Sequence, residues 1–184
     1  MESAHPSSSG GTIPRAPSAL PRFRWAAWLS TGCGAGYLPV MPGTYGSAEG
    51  LLVYLGLAWV FHDAPNGVWW LCAAVLLLTA ASLWIISRAL PHFSSDDPSA
   101  IVIDEVAGQC ITLLGVALAH PSLTPGWLAL GLGFFLFRAF DALKPYPIWK
   151  LGHLKGAAGV LADDVGAAMV AGAILFGAGR MGWV

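Results

Sequence analysis

The sequence predicts an all-α fold: a polytopic membrane bundle of four to five transmembrane helices, with an interfacial helix near its amino terminus. Three observations carry this expectation. Of 184 residues, 56% are hydrophobic and only 10% are charged, against about a quarter charged in an ordinary soluble domain. Mean hydropathy is +0.65. The chain also divides into apolar runs separated by short polar turns, and nine tryptophans are available to decorate two membrane–water interfaces. The balance of 9 basic to 10 acidic residues leaves no basic stripe, which argues against nucleic acid as a partner.

In chain order, residues 1–24 are rich in Ser, Pro and Gly and read as a flexible tail, leaving 25–184 as the integral-membrane domain. No apolar signal-peptide region follows the early charges. Residues 22–29 (RFRWAAWL) fit a short interfacial helix with tryptophans at headgroup depth. Residues 32–47 (GCGAGYLPVMPGTYGS) read as a tight non-helical loop, because glycine and proline interrupt regular helix. Its GxGxG run lacks the leading strand of a dinucleotide fingerprint. Backbone N–H groups and the hydroxyls of Thr44 and Ser47 could meet a phosphate there, and plain re-entrant structure is the competing reading.

Apolar runs at 48–61, 68–90, 101–119, 127–143 and 160–178 supply the expected crossings. The second is the clearest and the first is short for a full crossing. In the 91–99 loop, Asp97 before Pro98 has the form of an N-cap and first helical residue. Ala168 and Gly172, four apart, permit close helix approach and leave self-association open. Cys33, Cys72 and Cys110 show no metal or disulfide spacing and read as packing residues.

Threading five crossings places the amino terminus, the 91–99 loop and the 144–159 loop on one side. That side carries Arg15, Arg22, Arg24, Lys144, Lys150 and Lys155, with Arg88 at its edge; the other carries only Arg180. The positive-inside rule makes the rich side cytoplasmic. Asp104 and Glu105 enter the third crossing from that side, Asp141 leaves the fourth there, and Asp163 and Asp164 enter the fifth there. Arg138, Asp141 and Lys144 follow one another at three-residue steps and can converge on one volume. Each acid alone could be an interfacial helix-end charge. As a set at one depth they read as one site.

Five carboxylates at one depth repel one another unless a cation sits among them. An oxygen-only donor set favours a hard ion, Mg²⁺ or Mn²⁺, over zinc. Neighbours such as Asp104 and Glu105 lie about 100° apart on a helix, so one of each pair is expected to bind metal directly. Arg138 and Lys144 would hold a phosphate, and residues 42–47, with Pro42 and Gly43, would shape the headgroup pocket. This set suits phosphoryl chemistry on a lipid phosphate at the membrane surface. Water and an aspartyl carboxylate both remain available as nucleophile. His5, His62, His92, His120 and His153 show no paired spacing; His92 and His153, in loops on the same side as the acids, could join the site.

The segments GYLPVMPGTYGS, DPSAIVIDEVAGQ, FRAFDALKPYPI and GVLADD resemble, in order, the signature blocks of the phosphatidylglycerophosphatase A family. The similarity spans roughly residues 30–178. It implies a small bacterial inner-membrane enzyme that hydrolyses phosphatidylglycerophosphate to phosphatidylglycerol and phosphate with Mg²⁺. It also implies that Asp104, Glu105, Asp141, Lys144, Asp163 and Asp164 belong to the family's cytoplasm-facing acidic site, with Arg138 and Asp97 as further matching positions. One departure is that relatives often carry His-Gly-Gly before the last acidic pair. Here the stretch is Leu154-Lys155-Gly156-Ala157, and His153 is displaced along the loop. Two rivals are a CDP-lipid phosphatidyltransferase, whose paired-aspartate motif is missing, and an acid-lined cation carrier.

Overall fold

A computed structural model describes residues 24–95, 97–120 and 122–184. All regular structure among them is helical. The expected tail and the start of the interfacial helix, residues 1–23, lie outside the described residues.

Helix α1 (Trp25–Ser30) is short and packs on α3 (Gly67–Ala89), with Trp25 stacked on Trp84 at a centroid distance of 5.2 Å. A 3-10 turn, Gly32–Tyr37, follows, and Cys33 and Gly34 in it adopt φ of 53° and 104°. Helix α2 then runs from Pro42 to Phe61. This corrects the expected loop: its irregular part ends at Met41, and residues 42–47 are helical. Proline is preorganised for the first helical position, where its missing N–H costs nothing. Met41, at φ 50°, makes the sharp entry.

Helix α3 ends in a 3-10 turn, Leu90–His92. Helix α4 (Ile103–Ala119) begins later than the Asp97–Pro98 signal suggested. The Ile101 N–H donates to Pro98 O at 2.9 Å and the Val102 N–H donates to Ser30 O at 2.8 Å. The second bond ties the chain to the end of α1 and delays the helix. Helix α5 (Trp127–Leu143), the short α6 (Ile148–Leu151) and α7 (Ala157–Arg180) complete the fold. The final helix is longer than the 160–178 expected.

Helix α4 is the centre, in contact with α2, α3, α5 and α7, and its contact with α7 is the most extensive in the molecule. Glycines make that approach possible: a Cβ at Gly115 would strike the backbone carbonyl of Gly172. Ala168 and Gly172 are both consumed by packing inside the chain, Ala168 beside Phe137 and Ile148, Gly172 against α4. The small-residue face expected to permit a partner helix is therefore occupied by the chain itself.

The largest core cluster joins Tyr54, Leu71, Val75, Leu113, Leu130 and Leu175 across five helices. Two stretches, Gly67–His92 and Ala157–Arg180, are long and apolar enough to cross a bilayer. Outward-facing apolar side chains are abundant, among them Leu76 at 72% exposure and Phe135 at 68%. A water-facing surface rarely carries so many. Length, apolarity and this apolar exterior make the protein membrane-associated.

Candidate active site

The acids converge at one end of the bundle. Asp104 and Glu105 occupy the first turn of α4, Asp141 the last turn of α5, and Asp163 and Asp164 the second turn of α7. All five line one cavity of about 280 Å³, together with Arg138, Lys144, Asp97, Pro42 and Gly43. Thr44 and Ser47 are not among its lining residues. Ser47 is fully buried, and its hydroxyl donates to Gly43 O at 2.9 Å within α2. Because residues 42–47 are helical, that hydroxyl is spent on the helix and does not face a phosphate.

The structure sorts the five carboxylates into two groups. Arg138 Nη1 donates to Asp141 Oδ2 at 2.5 Å and lies 3.9 Å from Glu105 Oε1. Lys144 Nζ donates to Asp163 Oδ2. Two acids thus accept hydrogen bonds from the two cations. The others, Asp104, Glu105 and Asp164, each offer one oxygen within 4.8 Å of the others. Asp104 Oδ1, Glu105 Oε2 and Asp164 Oδ2 are buried and have no hydrogen-bond partner among the described residues. Unpaired buried carboxylate oxygens are costly, and the spacing of the trio makes it a candidate site for a cation.

Local structure explains the placement. Lys144 sits at the C-cap of α5 in the left-handed region, φ 42°, which turns its side chain toward α7. Burial alone would lower its pKa. The hydrogen bond and charge of Asp163, with Asp141 and Asp164 nearby, outweigh that and raise it above the usual lysine value. The ammonium is therefore charged at neutral pH. Gly43, at the start of α2, touches the cluster directly: a Cβ there would run into Glu105 Oε1 and stand 2.8 Å from Arg138 Nη1.

A second cavity of about 420 Å³ adjoins the first, shares Asp97, Val160 and Asp163 with it, and is bordered by Lys155. His153 is turned away, with Nδ1 2.9 Å from Trp149 O, and His92 lines a separate groove with Arg24 and Trp28. Met41 and Ser99 also line the acidic cavity, and neither carries a pattern that marks it in the sequence. Gln109 is a different omission. It is fully buried one turn below Glu105, and a glutamine inside an apolar run was the signal available.

The sequence profile of the family described as phosphatidylglycerophosphatase A matches residues 28–178. A Bacteroides thetaiotaomicron protein, provisionally named a phosphatidylinositol-3-phosphatase, is 34% identical over 149 residues, covering 81% of this chain and 87% of its own length. Proteins named phosphatidylglycerophosphatase A from Escherichia coli K12 and Haemophilus influenzae are 29% and 31% identical, covering 80% of this chain and 80% and 85% of their own lengths. No solved structure matches the chain. The extent of the profile match, carried across the helices that build the acidic cavity, makes this chain a phosphatase of the phosphatidylglycerophosphatase A family.

Proposed function

We propose that the chain hydrolyses the terminal phosphate monoester of phosphatidylglycerophosphate, giving phosphatidylglycerol and inorganic phosphate, with Mg²⁺ as cofactor. The observation that carries this reading is the buried trio of Asp104, Glu105 and Asp164 with its unpartnered oxygens, beside Arg138 and Lys144 on one cavity wall. The donor set is all oxygen, which fits Mg²⁺. Bound there, Mg²⁺ supplies charge to polarise a P–O bond and to lower the pKa of a coordinated water.

The chain's own groups do the rest. Arg138 and Lys144 are held on the cavity wall by Asp141 and Asp163, preorganised to receive the phosphoryl oxygens. The N-terminus of α2 abuts the same cavity through Gly43 and favours an anion there. A carboxylate of the wall takes a proton from water as the water oxygen bonds to phosphorus. The P–O bond to the glycerol breaks, and that carboxylate returns the proton to the leaving oxygen, which becomes the free hydroxyl of phosphatidylglycerol.

In this reading five helices, α2, α3, α4, α5 and α7, cross the bacterial inner membrane, and the acidic end faces the cytoplasm, which the lysine and arginine distribution supports. The cavity at the opposite end is lined by His62, Asn66, His120 and Arg180; among the described residues no carboxylate lines it, and Asp63 beside it is paired with His62 at 2.8 Å. That one-sidedness favours an interfacial enzyme over an acid-lined carrier.

The Bacteroides relative's name directs attention to a second headgroup that carries the same monoester chemistry. Purified protein in mixed micelles, offered phosphatidylglycerophosphate and phosphatidylinositol 3-phosphate separately, distinguishes the two. The proposal expects faster phosphate release from phosphatidylglycerophosphate, and a preference for the inositol lipid would replace it.

A further inference from the structure

Glu105, Gln109 and Thr112 stand at i, i+4 and i+7 of α4, on one narrow face of the helix. Gln109 and Thr112 are fully buried. Among the described residues, neither amide atom of Gln109 has a hydrogen-bond partner, and neither does Thr112 Oγ1 or Glu105 Oε2. A buried polar atom left unpaired is costly. The threonine is also unlike other helical hydroxyls in the bundle. Ser47, Thr79 and Ser82 donate to the carbonyl four residues back at 2.9, 2.8 and 2.9 Å. Thr112 forgoes that bond.

Helix geometry indicates where these groups look. Helical side chains lean toward the helix N-terminus, which inclines Gln109 toward the turn that begins at Glu105. The facing helices present glycines there. A Cβ at Gly46 would stand 3.2 Å from Glu105 Cβ, and one at Gly50 would stand 2.6 Å from Gln109 Cβ. On α5, a Cβ at Gly133 would stand 3.8 Å from Gln109 Nε2. These positions bring no side chain that could pair with the amide.

We propose that water bound by Gln109 and Thr112 extends the acidic site inward along α4 and hydrogen-bonds Glu105 Oε2. A carboxylate oxygen has lone pairs enough to accept this bond and still face a cation. Gln109 is then a positioning residue: it fixes the orientation of Glu105 without touching substrate. The proposal rests on the reading of Glu105 as one of the metal-binding trio.

The test compares Gln109→Leu and Gln109→Met with wild type, and Thr112→Val with Thr112→Ser. Three quantities are read: thermal unfolding, kcat and KM for phosphate release, and Mn²⁺ affinity by electron paramagnetic resonance without substrate. Both Gln109 variants are expected to unfold near the wild-type temperature, since an apolar side chain of similar size replaces the amide together with its water. Their kcat is expected to fall about tenfold to a hundredfold with KM within about twofold, and Mn²⁺ affinity to weaken by a similar factor. Thr112→Val follows them and Thr112→Ser restores wild-type behaviour. In a Glu105→Gln background, Gln109→Leu adds no further loss.

Folded Gln109 variants with wild-type kcat and Mn²⁺ affinity would overturn the proposal. Should leucine prevent folding, the unbranched methionine and the Thr112 pair give the decision. An error in the substrate reading shows separately, as wild-type turnover of a different lipid monoester, and the variants are then compared on that lipid.

Discussion

Replacing Gly43 with alanine adds one methyl group where α2 meets the acidic cavity. The new Cβ would run into Glu105 Oε1 and stand 2.8 and 3.1 Å from the two terminal nitrogens of Arg138. These atoms are the far ends of long side chains, so they retreat and the backbone stays. Alanine also favours helix over glycine by up to about 1 kcal/mol, and the unfolding temperature is expected to hold or rise. The cost falls on the site. Restoring van der Waals contact moves the Glu105 carboxylate and the Arg138 guanidinium by about 1 Å, a displacement that costs about a hundredfold in rate, or about 2.7 kcal/mol of barrier. The assay is phosphate release from phosphatidylglycerophosphate in micelles, beside thermal unfolding of the same sample. Gly50→Ala is the contrast. Its Cβ would stand 2.6 Å from Gln109 Cβ and 2.9 Å from the Val106 carbonyl oxygen, a backbone atom that cannot swing aside, so stability falls by about 1–3 kcal/mol. A folded Gly43→Ala protein with kcat/KM within about threefold of wild type would refute the contact between α2 and the acidic cluster as a requirement for turnover.

Other consequences are open to the same assays. Since the raised pKa of Lys144 lies above the ordinary lysine value of about 10.4, its pairing with Asp163 contributes stability at neutral pH that is lost as pH rises through the folded pKa. Lys144→Arg should then leave the pH–rate profile unchanged up to about pH 9, and a shifted alkaline limb in that variant would contradict the assignment. Ser47→Ala removes one intrahelical hydrogen bond and is expected to alter stability by about 1 kcal/mol or less with kcat unchanged; a large loss of kcat would return Ser47 to the site. For topology, a membrane-impermeant thiol reagent applied to intact cells should label a cysteine at Asn66 but not one at Lys155, in a Cys33→Ser background. The reverse labelling would invert the proposed orientation.

Much of this architecture was legible because apolar run length and charge position are read directly from the chain. Asp104, Glu105, Asp141, Asp163 and Asp164 each lie near a helix end, and tracing alternate helix directions was enough to gather them at one end. Their division into a trio and two ion pairs was not legible. It depends on which way Lys144 turns at the α5 C-cap and on how closely α4 and α7 approach through Gly115 and Gly172. The start of α2 was misread because Pro42, Gly43 and Gly46 count as breakers in isolation. In context Pro42 is an N1 residue, and the glycines are contact points with Glu105, Arg138 and Val102. Asp97–Pro98 failed as a helix start for a tertiary reason, the Val102–Ser30 backbone bond, which no local pattern announces.

A metal-dependent phosphatase seated on the buried carboxylate trio is open to one decisive assay: phosphate release from phosphatidylglycerophosphate by purified protein, in Mg²⁺ and then in excess EDTA, beside Asp104→Asn and Asp164→Asn. Turnover is expected to require the metal, to be abolished by EDTA, to return with added Mg²⁺ and to be lost in both folded variants. Turnover that persists in EDTA, or survives in either variant, would contradict it.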